Sequence, residues 1–148
     1  MSDSTVTVEL LQQQDYRFEI SFGEGVPPLI GDEPSPLGSG AGPSPVQLLC
    51  AAVGNCLSDS LLFALRKFKQ APEPLRCAVV ADVGRDADKH LRVLQMKATL
   101  HLGVPAAGLE HLERVLAQFE AYCTVTQSVR QSIPVTLQVF DSTGAQLK

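Results

Sequence analysis

The most apolar long segment of the chain, residues 46–65, carries helix signals at both ends. Ser44 can cap a helix start, and Pro45 suits the first helical position, where a backbone N–H would be unpaired anyway. Arg66, Lys67 and Lys69 follow, and cations favour a helix C-terminus. Two prolines within residues 70–74 end the segment. These signals predict a central helix over residues 45–68. Apolar residues lie on nearly all its faces, so burial on most sides is expected. Asp59, Gln47, Asn55, Ser58 and Ser60 interrupt the segment, which argues for a core helix rather than a membrane span.

The rest of the chain is organised around that helix. Residues 5–11 and 16–22 alternate apolar and polar side chains and read as a hairpin across a polar turn at 12–15. Residues 28–31 suggest a short third strand. Residues 32–44 are rich in Gly, Pro and Ser and form a loop. The Gly38-Ser-Gly-Ala-Gly run could suggest a phosphate cradle, but no Lys-Ser/Thr follows it and no strand leads cleanly in. Residues 75–83 and 91–102 read as strands, residues 106–122 as an amphipathic helix, and residues 133–140 as a final strand. Thr124 and Gln127 resemble a capping box at the start of a short further helix. Short turns between strands predict mainly antiparallel sheets and the α+β class, in one domain over residues 1–148.

Composition narrows the function. The net charge is −4 and no run of Lys or Arg occurs, so no phosphate-binding stripe is available for nucleic acid. Apolar residues make up 45% of the chain and charged residues 19%, which suggests an apolar surface buried in a homo-oligomer. The N-terminus has no basic start followed by an apolar run, so the expected location is cytoplasmic and no membrane association is expected. Acidic residues and the scattered His90, His101 and His111 show no metal-ligand spacing, so no metal is expected.

Four cysteines remain as candidates for chemistry: Cys50, Cys56, Cys77 and Cys123. In a cytosolic chain of this size they do not read as a structural disulfide framework. A helix cysteine is more often a small core hydrophobe than a nucleophile. Cys56, however, is surrounded by Asn55, Ser58, Asp59 and Ser60, which suit a wet pocket or a subunit boundary better than a dry core. Cys123 lies between two helical segments, where backbone N–H groups can favour a thiolate; it also reads as a buried neighbour of Tyr122. Cys50 and Cys77 read as packing thiols.

The segment Pro45-Val-Gln-Leu-Leu-Cys-Ala-Ala-Val-Gly-Asn-Cys56, opened by Gly42-Pro-Ser-Pro45, resembles the reactive-thiol helix of the osmotically inducible protein C and organic hydroperoxide resistance (OsmC/Ohr) family. The segment Ala121-Tyr-Cys-Thr-Val-Thr-Gln-Ser128 is similar to that family's Tyr-Cys-Pro-Val-Ser segment. The resemblance extends from about residue 5 to 140. It implies an intertwined homodimer with sheets wrapped around long central helices and active sites at the subunit boundary. It implies a thiol-dependent peroxidase for organic hydroperoxides, acting in oxidative stress defence, with Cys56 as attacking thiol and Cys123 as resolving thiol. It implies regeneration by an external dithiol of the lipoyl type, without a bound cofactor. The family's helper Glu is replaced by Val46, followed by Gln47, and Thr124 stands where the family has Pro. The family's thiolate-stabilising Arg corresponds to Arg17, which also reads as a solvated strand charge; Arg130 is a further candidate. Those departures keep a second reading open: a redox-sensing or ligand-binding module without efficient peroxidase activity.

Overall fold

The computed structural model describes residues 2–148, which divide into two compact units, one ending at Leu48 and the other Leu49–Lys148. The first unit holds an antiparallel sheet of β1 (Glu9–Gln14), β2 (Arg17–Ser21) and β3 (Leu29–Gly31). The hairpin forms, but shifted from the expected bounds: β1 begins later and runs through Gln12 to Gln14, with an irregularity between those two residues. Asp15 makes the turn with a left-handed φ of 51°. Every β1 residue is exposed. With no buried face to report, its apolar alternation could not mark its ends.

The Gly-rich loop is organised by Asp32. Its carboxylate accepts hydrogen bonds from the backbone N–H groups of Glu33, Ser39 and Ala41 and from the Ser39 hydroxyl. Arg17 Nη2 donates to the same Ser39 hydroxyl at 3.0 Å. The Ala41 N–H and Ser39 hydroxyl, aided by the other donors, hold the Asp32 pKa down to about 2. A Cβ at Gly38 would collide with the Asp32 carboxylate and the Glu33 carbonyl, so glycine is required there. The N–H groups that might have bound a phosphate thus already surround a carboxylate of the chain.

Helix α1 (Pro45–Lys67) begins in the first unit and continues into the second. Its start is a reciprocal capping box: the Gln47 N–H donates to Ser44 Oγ, and the Ser44 N–H donates to Gln47 Oε1. Val53, Leu57, Leu61 and Leu65, spaced four residues apart, form one buried stripe. Burial on most sides was expected and is not observed. Ala51, Ala52, Asn55, Asp59 and Phe63 are exposed, so within one chain a single face of α1 is covered. By length and hydropathy alone α1 could cross a membrane, but its buried stripe belongs to the core.

In the second unit, β4 (Arg76–Arg85) and β5 (Leu91–His101) form an antiparallel hairpin, and β6 (Val135–Phe140) pairs with β5 in parallel. Among the described residues this pair alone departs from the antiparallel rule, because a long crossover separates its strands. Met96, Ala98 and Leu100 of β5, Val135 and Val139 of β6, and Phe119 join the α1 stripe in the core. Each fully buried Leu of that stripe contributes about 1.5–3 kcal/mol relative to exposure.

The crossover is not the single helix expected over residues 106–122. A 3-10 turn (Ala106–Gly108) is followed by α2 (Leu112–Gln118), a second 3-10 turn (Phe119–Tyr122), and α3 (Thr124–Val129). His111 breaks the run with a left-handed φ of 59°, and its ring stacks on Phe68. Buried Asp141 accepts the Ala106 N–H and bonds Thr143 and Ala145, which holds the first turn against the end of β6. The expected helix after Cys123 forms, but Cys123 rather than Thr124 occupies its cap position.

Candidate functional site

Cys56 and Cys123 meet where α1 passes the start of α3. Cys56 is half-buried on α1, and Cys123 is fully buried in the core. Both thiols are free, and the two sulfurs lie in hydrogen-bonding contact with each other. The Cys123 thiol donates to Thr126 Oγ1 at 3.0 Å. The backbone N–H groups of Val125 and Thr126, in the first turn of α3, point at the Cys56 sulfur. Helix starts leave such N–H groups without intrahelical partners, so they are free to meet a sulfur. A half-buried thiol beside a fully buried one allows the first to meet solvent while the other waits behind it.

Burial is the largest influence on the Cys56 thiol and pushes its pKa above the ordinary value; neighbouring Cys123 adds to the rise. The Val125 and Thr126 N–H groups act in the opposite direction. They solvate a thiolate but do not outweigh burial. Thr126, fully buried, was not singled out as a site residue from sequence. Its signal was its position three residues after Cys123, where a hydroxyl can reach back to a cap residue.

The other candidates occupy different surroundings. Arg17 donates through Nη2 to Ser39, while its Nε is buried without a partner. Arg130 is committed: it pairs with Glu120 and donates to the Val135 carbonyl. Lys148 also pairs with Glu120, so this carboxylate ties the turn before Cys123 to two cations. Val46 supplies no carboxylate, and Gln47 is occupied in the helix cap. His101 stacks on Phe140 and His111 on Phe68. Among the described residues, no group of three or more His, Cys, Asp or Glu side chains is arranged to hold a metal.

A cavity of about 430 Å³ opens between α1 and the α2 region. Phe63, Phe68, Phe119 and Tyr122 give it aromatic walls, and Lys67 and Arg114 add positive charge. Ser60 in its lining is one helical turn beyond Cys56, and Tyr122 directly precedes Cys123.

A helix carrying one thiol, held against a helix start that carries another, in a chain with two three-stranded sheets, defines an α+β protein of the OsmC type. The model of the OsmC-like protein family matches residues 38–138, and the chain belongs to that family. The fold is similar to that of an OsmC-like protein of unknown function from Vibrio cholerae, with a TM-score of 0.78 at 16% identity, covering 93% of this chain and 99% of that one. It is also similar to an organic hydroperoxide resistance protein from Elizabethkingia anophelis (TM-score 0.73, 14% identity, 95% and 100% covered). A third similar structure is the organic hydroperoxide resistance protein OhrB of Bacillus subtilis (TM-score 0.68, 15% identity, 93% and 99% covered). No curated protein matches the sequence.

Proposed function

We propose that this protein reduces organic hydroperoxides with the Cys56–Cys123 pair, as a cytoplasmic homodimer in oxidative stress defence. The observation that carries the reading is the contact between the two sulfurs, with a half-buried thiol in front and a buried one behind. The Cys56 thiolate attacks one peroxide oxygen and the O–O bond breaks. The other oxygen leaves as an alkoxide and takes a proton to become the alcohol. Cys56 is now a sulfenic acid. The Cys123 thiol attacks that sulfur, water leaves, and a Cys56–Cys123 disulfide forms. A dithiol reductant, of the lipoyl type in our proposal, exchanges with the disulfide and restores both thiols while becoming oxidised.

The Val125 and Thr126 N–H groups support this assignment because they offer the attacking sulfur charge-stabilising donors. The aromatic cavity, which reaches Ser60 one turn beyond Cys56 and Tyr122 next to Cys123, supports an organic peroxide over hydrogen peroxide, since it has apolar walls to bind. Arg17 is carried into this proposal by the family resemblance alone, as the cation that would favour the thiolate.

The test is direct. One equivalent of cumene hydroperoxide should convert two free thiols to one Cys56–Cys123 disulfide, read by peptide mass spectrometry. Cys56→Ser should abolish peroxide consumption, whereas Cys123→Ser should leave a sulfenic acid that a dimedone probe traps. Wild-type consumption by Cys56→Ser would end the proposal. A second reading, a redox-sensing or ligand-binding module without efficient turnover, is favoured by the raised Cys56 pKa. It predicts a single slow oxidation with no turnover at any dithiol concentration.

A further inference from the structure

The two cysteines outside the proposed redox pair also share a site. Cys50 lies on α1, one turn before Gly54, and Cys77 lies on β4. Both line one cavity of about 370 Å³, together with Ala51, Gly54, Asn55, Ser58 and Val79. Gly54 lets β4 approach α1 closely at Cys77: a Cβ there would lie 3.4 Å from Cys77 Sγ and 3.0 Å from Val79 Cγ2. Ser58 donates to the Gly54 carbonyl at 2.7 Å and also lies in hydrogen-bonding contact with the Cys77 sulfur. The cavity is therefore a concavity with polar groups between helix and strand, and both its thiols are free.

We propose that Cys50 and Cys77 form a second thiol site that takes one soft monovalent d10 cation, copper(I) in a cell, between their sulfurs. The donor set selects the ion. Two thiols face the cavity, and no carboxylate or imidazole lines it. Zinc needs three or four protein ligands, and calcium or magnesium needs oxygen ligands. Soft thiolates favour copper(I). Binding displaces both thiol protons, which leave to solvent, and yields a bis-thiolate complex of charge −1. No electron is transferred. The site uses neither Cys56 nor Cys123 and stands whether or not the chain is a peroxidase.

The experiment begins with a Cys56→Ser, Cys123→Ser chain, which retains only Cys50 and Cys77. Anaerobic titration with copper(I), buffered by a competing chelator, should load one ion per chain and give near-ultraviolet thiolate-to-copper absorption. Replacing Cys50 or Cys77 with Ser in that background should weaken binding at least tenfold. A measurement without substitution guards against misfolding. In the natural chain, copper(I) should protect Cys50 and Cys77 from iodoacetamide with one shared midpoint, read by peptide mass spectrometry. Loading equal to that of a cysteine-free chain, or protection of only one of the two thiols, would overturn the proposal.

Discussion

Leu61 and Phe63 are two residues apart on α1, yet their environments are opposite. Leu61 is 0% exposed and sits in the middle of the Val53–Leu57–Leu61–Leu65 stripe; Phe63 is 74% exposed. Leu61→Ala removes a branched side chain from a closed core and leaves a cavity beside the β5 and β6 side chains. Such truncations cost about 2–5 kcal/mol. For a two-state chain of this length, 1 kcal/mol corresponds to about 3–4 °C, so Leu61→Ala should lower Tm by about 10 °C. Phe63→Ala removes more apolar volume but, in an isolated chain, from a position already in water, so its cost should stay within about 0.5 kcal/mol. The assay is thermal melting by circular dichroism over a hundredfold range of protein concentration, beside sedimentation to fix the oligomeric state. If the proposed homodimer covers the outer face of α1, the Phe63→Ala loss should grow with concentration while the Leu61→Ala loss persists at every dilution. Equal losses for the two variants at dilutions where the chain is monomeric would refute the one-stripe account of α1.

Other outcomes follow from single contacts. Asp32 and Asp141 both have pKa values lowered from 3.8 to about 2, so their contribution to stability is complete above pH 4 and is lost as pH falls through about 2. The Asp32→Asn, Asp141→Asn chain should show a flatter acid-unfolding curve between pH 4 and 2, followed by near-ultraviolet circular dichroism. Glu120→Gln breaks its pairs with Arg130 and Lys148 and should cost about 1–2 kcal/mol in urea unfolding at pH 7, between surface and buried pairs in size. Because both cations lower the Glu120 pKa against the effect of burial, that difference should shrink as pH falls below 4.5. Thr126→Val removes the acceptor for the Cys123 thiol and should slow disulfide closure after sulfenic acid formation, while initial peroxide consumption is unchanged. Arg17→Met should raise the pH midpoint for Cys56 alkylation; an unchanged midpoint would remove Arg17 from the proposed mechanism.

Local signals account for what could be read from the chain. The α1 start was legible because Ser44 and Pro45 act within one turn, and Gln47 completed the cap. The Cys56 and Cys123 motifs were legible as a resemblance, and the sulfur contact between them depends on the crossover packing. The breaks in the second helix were hidden because long-range contacts set them: His111 stacks on Phe68, and Asp141 binds Ala106 from 35 residues away. The same holds for the Gly-rich loop, whose glycines make sense once the Asp32 carboxylate is seen among them. The unburied faces of α1 show the limit of composition, which reports how apolar a helix is but not what covers it.

The parallel pairing of β5 with β6 also sets an order of assembly. The β4–β5 hairpin closes across a short turn, with Arg85 opposite Leu91, so it can form early. Met96 cannot meet Val135, 39 positions further along the chain (135 − 96), until the segment between them has been gathered, a non-local closure that folds slowly. That late segment carries Cys123, Thr126 and the N–H groups that face Cys56. A nascent chain therefore bears Cys56 without its partner thiol or its donors. These surroundings arise only when the fold closes, so the thiol chemistry proposed for Cys56 would report completed folding.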